Sequence, residues 1–487
     1  MRLYQKKGSR YRYGLVCLIV WLAMVCFYQT HKKIPENLNY LGDEYKASEA
    51  EVEFLHDLTY KDSAGELQSD QSIFDVMFDY IEHAEQYILI DMFLFNSYTV
   101  QDDHFHRNLS DELSERLINK RLKNPGQAID FITDPVNTVY GGSSSPELEA
   151  LRAAGINVII SNLEKLRDSN FLYSAVWRTF FQWFGNSSQH GLVKHPFSNS
   201  AGKVTLRSYL RMVNFKANHR KVFVADSNGE MVVLISSANP HGGSSAHSNI
   251  ALMVRGEIWR SVYQTEMAIA KLSGGTLSPI EMAVRKTRLP AGVALRIISE
   301  NQIKKALIEE ISVTESSDEM KLAQFYLSDR DILKALLAAA ARGVDIKIIL
   351  DRNQDAFGYE KNGIPNRPVA SELVKKSNGA IKLRWYDTHG EQFHSKLFVS
   401  LGDKRMTAIM GSANLTRRNL DNYNLKLDIK VTAANESRIT KQIVSYFDKM
   451  WNNSDGVYTV DFERYREDSF FKTIVYRVQE DLGLATF

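Results

Sequence analysis

An internal repeat constrains this chain more than any other feature. The tripeptides "HRK" at 219–221 and "HSK" at 394–396 each open an apolar, strand-like segment, and each is followed at the same distance by "SAN". A single offset of 175 residues pairs His219 with His394, Lys221 with Lys396, Phe223 with Phe398, Ser237 with Ser412, Asn239 with Asn414 and Asn249 with Asn424. Because most of these matches are polar residues in apolar surroundings, they predict one α/β unit used twice, with the halves packed about a pseudo-twofold axis.

The hydrophobic pattern around the repeat alternates between helix and strand periods. Helix-type segments cover residues 72–84, 110–122 and 145–155, and strand-type segments cover 86–95, 128–134 and 156–161. The second half repeats this order, with helices predicted over 301–311, 328–343 and 370–379 and strands over 320–327, 344–351 and 380–387. Such alternation is typical of an α/β fold, a parallel or mixed sheet covered by helices.

The length of 487 residues predicts about two or three domains. We predict an N-terminal membrane anchor over 1–33, a linker over 34–70, a first repeat over 71–275, a second repeat over 276–470 and a C-terminal tail over 471–487.

The anchor is predicted from an uncharged apolar run at 13–29. Five basic residues precede the run and two follow it closely, so the positive-inside rule predicts a cytoplasmic N-terminus. The expected location is the cell membrane, as a single-pass protein with an extracytoplasmic body. A cleaved signal peptide is the alternative. Because both cysteines, Cys17 and Cys26, lie in this run, disulfides and thiolate sites are excluded from the body.

Charge and histidine spacing narrow the class of function. Seven of the 60 Lys and Arg lie in residues 1–33, which leaves 53 against 58 acidic residues in the body. A body of that sign makes nucleic acid an unlikely partner. The remaining histidines, including those in "DDHFH" and "NPHGGSSAH", have no standard metal-ligand spacing, so we expect no metal and no cofactor.

The repeated residues suit phosphodiester chemistry. Strand alternation places the His and Lys of each pair on one face, and a turn at 226–229 lets the Ser-x-Asn return beside them. Two halves brought together would supply two imidazoles, two ammonium groups, two carboxamides and two hydroxyls. One His can then attack phosphorus while the other protonates the leaving alcohol, and the cationic and polar groups stabilise the growing charge.

The paired "HRK…SSAN" and "HSK…GSAN" resemble the two H-x-K motifs of the phospholipase D superfamily, over roughly residues 70–460. Within it the chain is most similar to bacterial cardiolipin synthases. The resemblance implies two phospholipase D-like α/β/α repeats that transfer a phosphatidyl group through a phosphohistidine, or hydrolyse a phospholipid, in the membrane. It implies His219, Lys221, Asp226, His394 and Lys396 as catalytic residues and Ser237, Asn239, Ser412 and Asn414 as phosphate ligands. By analogy with relatives, His219 is the nucleophile.

Three departures from the family pattern bear on this expectation. The family motif continues to an Asp, which Asp226 matches, whereas Leu401 stands at the second position. Ser236 replaces a Gly before the first S-x-N. The family also places a Glu after the Asn-bearing segment to orient the His, and neither half has it; Asp428 is a possible substitute.

Two questions stay open at this stage. The aromatic segment 171–185 fits either packing between the lobes or an interfacial element that dips into lipid. The alternative functions are a nuclease or phosphodiesterase on nucleic acid and a catalytically inactive family member. The oligomeric state does not follow from the sequence.

Overall fold

The computed structural model describes residues 2–98, 106–198, 201–280, 291–356 and 359–485. In chain order its strands are β1 (Tyr45–Ala47), β2 (Val52–Asp62), β3 (Leu67–Asp70), β4 (Tyr87–Met92), β5 (Ala128–Thr133), β6 (Asn157–Ile160), β7 (Lys221–Ser227), β8 (Glu230–Ser236), β9 (Asn249–Arg255), β10 (Val293–Ser299), β11 (Glu319–Gln324), β12 (Asp345–Leu350), β13 (Asp355–Ala356), β14 (Tyr359–Glu360), β15 (Ile381–Tyr386), β16 (Lys396–Leu401), β17 (Arg405–Gly411), β18 (Leu427–Ala434), β19 (Gly456–Val457) and β20 (Thr459–Asp461).

The helices confirm the segments predicted from the hydrophobic period. They are α1 (Arg2–His31), α2 (Ile73–His83), α3 (Leu109–Lys123), α4 (Pro146–Ala153), α5 (Phe171–Val176), α6 (Leu206–Met212), α7 (Trp259–Leu272), α8 (Asn301–Ser312), α9 (Arg330–Ala341), α10 (Asn366–Lys376), α11 (Arg417–Leu420), α12 (Arg438–Asn452) and α13 (Phe470–Leu482). A π-helical turn over Trp177–Phe181 continues α5.

Two large mixed sheets carry the repeat. The first has the order β19-β2-β9-β8-β7-β4-β5-β6, with β3 beside β2, and the second has the order β1-β10-β18-β17-β16-β11-β12-β15-β20. Seven strands of each sheet correspond one to one, from β2 and β10 at one side to β6 and β15 at the other. The predicted α/β fold built from two copies of one unit is therefore confirmed.

The two sheets face each other, with α7 and α12 contributing to their shared core and α2–α4 and α8–α10 on the outer faces. Val222 and Val224 of β7 share one apolar cluster with Leu397 and Val399 of β16, together with residues of α7 and α12. Phe223, between the two valines, points the other way and packs with α2, α3 and α4. Successive side chains along each motif strand therefore face alternately the neighbouring repeat and the outer helices.

The segment 34–70 is not the linker that weak periodicity suggested. Its strand β1 pairs with β10 of the second sheet, whereas β2 pairs with β9 of the first. The C-terminal strand β19 crosses back to pair with β2. These pairings exchange strands between the sheets, and the partners lie too far along the chain for a local pattern to reveal them. The remaining domain boundaries stay a prediction.

The predicted C-terminal tail includes most of α13, which packs on the second repeat. Tyr476 of α13 is fully buried in that repeat's core. At the other terminus, residues 11–31 of α1 contain an 18-residue stretch of mean hydropathy 1.8 and form a helix that is long and apolar enough to cross a membrane. The apolar side chains of this helix, such as Ile19 and Phe27, are exposed.

A buried ion cluster joins the two repeats behind the first motif. Arg220 has no exposed surface, and its guanidinium donates to Glu266 of α7 at 3.0 Å and to Glu300, just before α8, at 2.8 Å. Glu300 also accepts from the backbone N–H of Lys426 at 3.1 Å. One side chain of the "HRK" motif therefore connects the first repeat with the second.

We expect Arg220→Met to lower the free energy of unfolding by about 3–5 kcal/mol, because it leaves two buried carboxylates without their cation. Denaturant or thermal unfolding of the purified protein measures the loss. The matched control is Lys334→Met, whose exposed pair with Asp331 should contribute less than about 1 kcal/mol. Equal effects of the two variants would contradict the assigned role of Arg220.

Candidate functional site

Reciprocal backbone pairing brings the two motifs together. The N–H of His219 donates to the carbonyl of Leu425 at 3.0 Å, and the N–H of His394 donates to the carbonyl of Ser248 at 2.9 Å. Asn218 is thus bridged to Leu425, and Phe393 to Ser248, in the same parallel sense. Each His is fixed against the loop before the last motif strand of the other repeat, as a pseudo-twofold axis requires.

The two imidazoles meet at the bottom of one cleft. Their ring centroids are 6.4 Å apart, and both rings line a cavity of about 390 Å³. The predicted carboxamides lie in the same wall. Other cleft residues are Phe93, Val136, Tyr140, Phe197, Met212, Phe215, Lys216, His247, Phe325, Tyr326, Lys361, Gln392, Asn239, Asn414, Arg418 and Asn424.

The two motif lysines occupy matching positions. The Nζ of Lys221 donates to the carbonyl of His219 at 2.8 Å, and the Nζ of Lys396 donates to the carbonyl of His394 at 2.8 Å. Lys221 lies 5.0 Å above the ring of Phe93, and Lys396 lies 5.3 Å above that of Phe325. These cation–π contacts hold each ammonium group without a full counter-charge.

Sequence reasoning missed both aromatic rings. Phe93 and Phe325 are the first residues after β4 and β11, and they also lie 4.5 Å from His219 and 5.0 Å from His394, measured between ring centroids. The offset between them differs from 175, so the repeat test could not pair them. Their place directly after equivalent predicted strands is the pattern that could have revealed them.

Burial and mutual repulsion set the charge state of the cluster. Burial lowers the pKa of His219, and Lys221, Lys426, Lys396 and His394 lower it further. The pKa of His394 is lowered in the same way, first by burial and then by Lys396 and Lys221. Burial also holds the pKa values of the motif lysines well below their ordinary value. The empty cluster therefore favours neutral imidazoles and would gain stability from an anion.

An amide orients His394. The Nδ1 of His394 lies 3.0 Å from the Oδ1 of Asn249, which also accepts from the hydroxyl of Ser237 at 2.9 Å. Asn249 in turn donates through Nδ2 to the carbonyl of His247 at 2.9 Å. The oxygen of Asn249 therefore faces the imidazole and can orient it, which is the role that the family resemblance gives to a Glu.

The His219 side is built differently. Ser236 pairs with Ala251 in the first sheet, and the equivalent Gly411 pairs with Asp428 in the second. After the S-x-N motif, equivalent residues of the two repeats are therefore 177 positions apart rather than 175. Asn249 thus corresponds to the buried Lys426, and its sequence pairing with Asn424 is wrong because the second loop has two more residues. The Nδ1 of His219 lies 3.2 Å from the carbonyl of Ser412, and the Nζ of Lys426 lies 3.5 Å from the same oxygen.

Several predicted residues do not join the cleft. Asp226 lies five residues beyond Lys221, about 16 Å along the strand, where it accepts from the backbone N–H groups of Glu85, Gln86 and Tyr87. Asp428 accepts from the N–H groups of Ser412 and Ala413 and orients no imidazole. Both carboxylates stabilise turns of the backbone.

The two serines are also used internally. Ser237 donates to Asn249, as described above, and the hydroxyl of Ser412 exchanges hydrogen bonds with the backbone of Leu427. These contacts fix the start of the following strand, and the phosphate contacts of the two serines stay a prediction. Asn239 and Asn414 remain at the cleft surface, as the motif predicted.

Within the described residues, no group of three His, Cys, Asp or Glu side chains could hold a metal ion. His247 lines the cleft with its ring 6.0 Å from that of His394, and His241 lies on the adjoining loop. His106 is described and forms contacts of its own, whereas His104 lies outside the described residues.

Comparison with known proteins finds similarity to cardiolipin synthases. The family model described as "Cardiolipin synthase, PLD-like domain" matches residues 307–451. A cardiolipin synthase of Alkalihalophilus pseudofirmus is 22% identical over 66% of this chain and 61% of its own length, and one of Geobacillus kaustophilus is 24% identical over 63% and 60%. The chain therefore matches less than two thirds of the length of these relatives.

A solved structure shares the fold. The phosphatidylserine synthase of Haemophilus influenzae superposes with a TM-score of 0.53 at 12% identity, over 92% of this chain and 95% of that one. This likeness supports the two-repeat architecture over nearly the whole chain.

The lowered pKa of His219 predicts a pH-dependent stability. Above pH 6.5 the imidazole is neutral in both states; below it, the unfolded chain takes up a proton that the folded chain does not, so folding is disfavoured until the pH falls through the folded pKa. We expect His219→Gln, which removes this group, to gain stability relative to the parent as the pH falls from 7.5 to 5, by up to about 1.4 kcal/mol per unit below 6.5. Paired unfolding curves at both pH values measure the difference; a constant difference would contradict the buried neutral imidazole.

Proposed function

We propose, from the premise that this chain belongs to the cardiolipin synthase-like branch of the phospholipase D superfamily, that it is a membrane-anchored phosphatidyltransferase working through a phosphohistidine. The observation that carries the proposal is the pair of imidazoles of His219 and His394 facing one another across the cleft. Both H-x-K motifs are complete, and each lysine lies beside the histidine of its own motif. This argues against a catalytically inactive family member.

The first half-reaction uses the neutral state that burial favours. The Nδ1 of His219 lies 3.2 Å from the carbonyl of Ser412 and 3.1 Å from the Nζ of Lys221. In the tautomer whose Nδ1–H donates to the carbonyl of Ser412, Nε2 keeps its lone pair for phosphorus. The N–P bond forms as the P–O bond to the leaving alcohol breaks, and a protonated His394 gives that oxygen its proton. The anionic phosphodiester supplies the charge that favours this protonation at His394.

The second half-reaction reverses these roles. His394 accepts the proton of the incoming alcohol. The oxygen of this alcohol bonds to phosphorus as the bond between phosphorus and the Nε2 of His219 breaks. Lys221 and Lys396 neutralise the non-bridging oxygens in both steps, and the amides of Asn239 and Asn414, which line the cleft, donate hydrogen bonds to them in this proposal. Asn249 and the carbonyl of Ser412 keep the two rings in place. The fixed cations take the part of a metal, so no cofactor is proposed.

The substrate class follows from the cleft walls and the anchor. Phe93, Phe197, Met212 and Phe215 provide apolar surface beside the cationic floor. A phospholipid, with a phosphodiester between acyl and alcohol parts, matches both. Together with the N-terminal helix this favours a lipid substrate in the membrane over nucleic acid, and we propose that the body is extracytoplasmic.

The assay that tests this function supplies phosphatidylglycerol to the purified full-length protein, with and without a chelator. We expect cardiolipin and glycerol at the same rate in both cases. Phosphatidic acid instead would indicate hydrolysis. Cleavage of single-stranded DNA without lipid turnover would replace the proposal by a nuclease function.

Substitution of either imidazole tests the mechanism. We expect His219→Ala and His394→Ala each to lower turnover by about 10³-fold or more, because one removes the nucleophile and the other the general acid and base. His190→Ala, at an exposed site outside the cleft, is the control and should leave turnover unchanged. Substantial activity in either cleft variant, with the fold intact by circular dichroism, would contradict the two-histidine mechanism.

The covalent intermediate can be detected directly. Quenching the reaction with denaturant should leave a phosphatidyl group on His219, labile to acid and absent from His219→Ala. Peptide mass spectrometry identifies the modified residue. A label on His394 would reverse the two roles, and a label on neither would favour direct transfer.

A further inference from the structure

The segment after α5 packs along the membrane helix rather than between the repeats. Ile19, Leu22 and Cys26 of α1 border a groove that Leu172 and Val176 close from the other side. The indole N–H of Trp21 donates to the hydroxyl of Thr179 at 3.2 Å. The aromatic segment of the sequence therefore lies against the part of α1 that is long and apolar enough to cross a bilayer.

The contacts along α1 give the direction of this segment. Asp168 donates its backbone N–H to the carbonyl of Gln29, near the end of α1, whereas Thr179 lies beside Trp21. The segment thus runs antiparallel to α1, and the chain then returns to the body, where the Nδ2 of Asn186 donates to the carbonyl of Tyr140 at 3.1 Å. Trp21 is ten residues before His31, about 15 Å along the helix, and residues 11–31 span about 31 Å, close to the thickness of a hydrocarbon core.

The tip of the segment presents apolar surface with its polar groups satisfied. Trp183, Phe180 and Phe184 are 75%, 45% and 47% exposed. The indole N–H of Trp183 donates to the carbonyl of Thr179 at 3.2 Å. Nearby, Arg178 forms an ion pair with Asp168, and the Nε of Arg207 donates to the carbonyl of Gln182 at 2.9 Å. The indole N–H of Trp177, inside the element, is buried without a hydrogen-bond partner. Only hydrocarbon surface without free donors is tolerated at membrane depth.

We propose that residues 171–184 form a re-entrant membrane element, inserted beside α1 into the leaflet that faces the body. The exposed apolar side chains of this element would lie among the acyl chains of the bilayer. The proposal rests on α1 crossing the membrane and does not depend on the reaction proposed above. Trp177 is buried within the element, and Trp183 is exposed. In this proposal the exposed indole of Trp183 contacts lipid, which is the second of the two readings that the sequence left open.

The element also borders the route to the cleft. Tyr173 donates to the carbonyl of Leu210 in α6 at 2.6 Å, and Met212 at the end of α6 lines the cleft. On the other side, Arg417 and Tyr423 border the groove on α1, whereas the adjacent Arg418 and Asn424 line the cleft. A lipid of this leaflet could therefore approach the imidazoles sideways.

Nitroxide accessibility in bilayer nanodiscs tests the element in the full-length protein. A spin label is attached at Trp183→Cys, or independently at Phe184→Cys, with Cys17 and Cys26 replaced by Ala. The matched control is Leu122→Cys, 66% exposed on α3 of the body. We expect high collision with oxygen and low collision with a water-soluble nickel chelate at 183 and 184, and the opposite at 122.

Two results would overturn the proposal. Nickel-chelate collision at 183 and 184 equal to that at 122 would place the segment in water. Low collision with both relaxants would place it in a protein contact. If the full-length protein turned over no lipid but position 183 still showed high oxygen and low nickel-chelate collision, the membrane element would stand and only the proposed reaction would be contradicted.

Discussion

The reciprocal hydrogen bonds between His219 and Leu425 and between His394 and Ser248 are the contacts on which the site depends. Each motif strand begins against a loop of the other repeat, so neither half can form the cleft alone. Because these are backbone bonds, they fix where each Cα lies whatever the neighbouring side chains are. Arg220, buried between Glu266 and Glu300, forms ion pairs that also link the two repeats at this junction.

The cleft concentrates buried positive charge that folding alone would not favour. Burial lowers the pKa values of Lys221, Lys396 and Lys426, and repulsion from Lys221 lowers those of Lys396 and Lys426 further. Cation–π contacts and backbone carbonyls satisfy two of them without cancelling their charge. Such an arrangement is costly in the empty protein and favourable once a phosphodiester enters, as expected when a site is built for the bound anion rather than for stability.

The two halves are alike in fold and different in detail. Asn249 meets the Nδ1 of His394, whereas Lys426 occupies the corresponding place near His219. An amide oxygen is compatible with an imidazole that gains and loses a proton, whereas a nearby ammonium group disfavours the imidazolium. The asymmetry therefore agrees with a nucleophile at His219 and an acid and base at His394, and it separates two residues that the repeat alone makes equivalent.

The sequence by itself determined the repeat, the α/β class, the long apolar N-terminal helix and the pair of H-x-K motifs, because local periodicity and identical spacing record them directly. It also indicated that Asn239 and Asn414 face the same site. Only the tertiary structure decided that Asp226 and Asp428 hold the backbone, that Phe93, Phe325 and Lys426 belong to the cluster, and that residues 45–70 complete both sheets. Those residues meet across strand exchanges and a two-residue change in loop length, and contacts between distant segments leave no periodic trace in the chain.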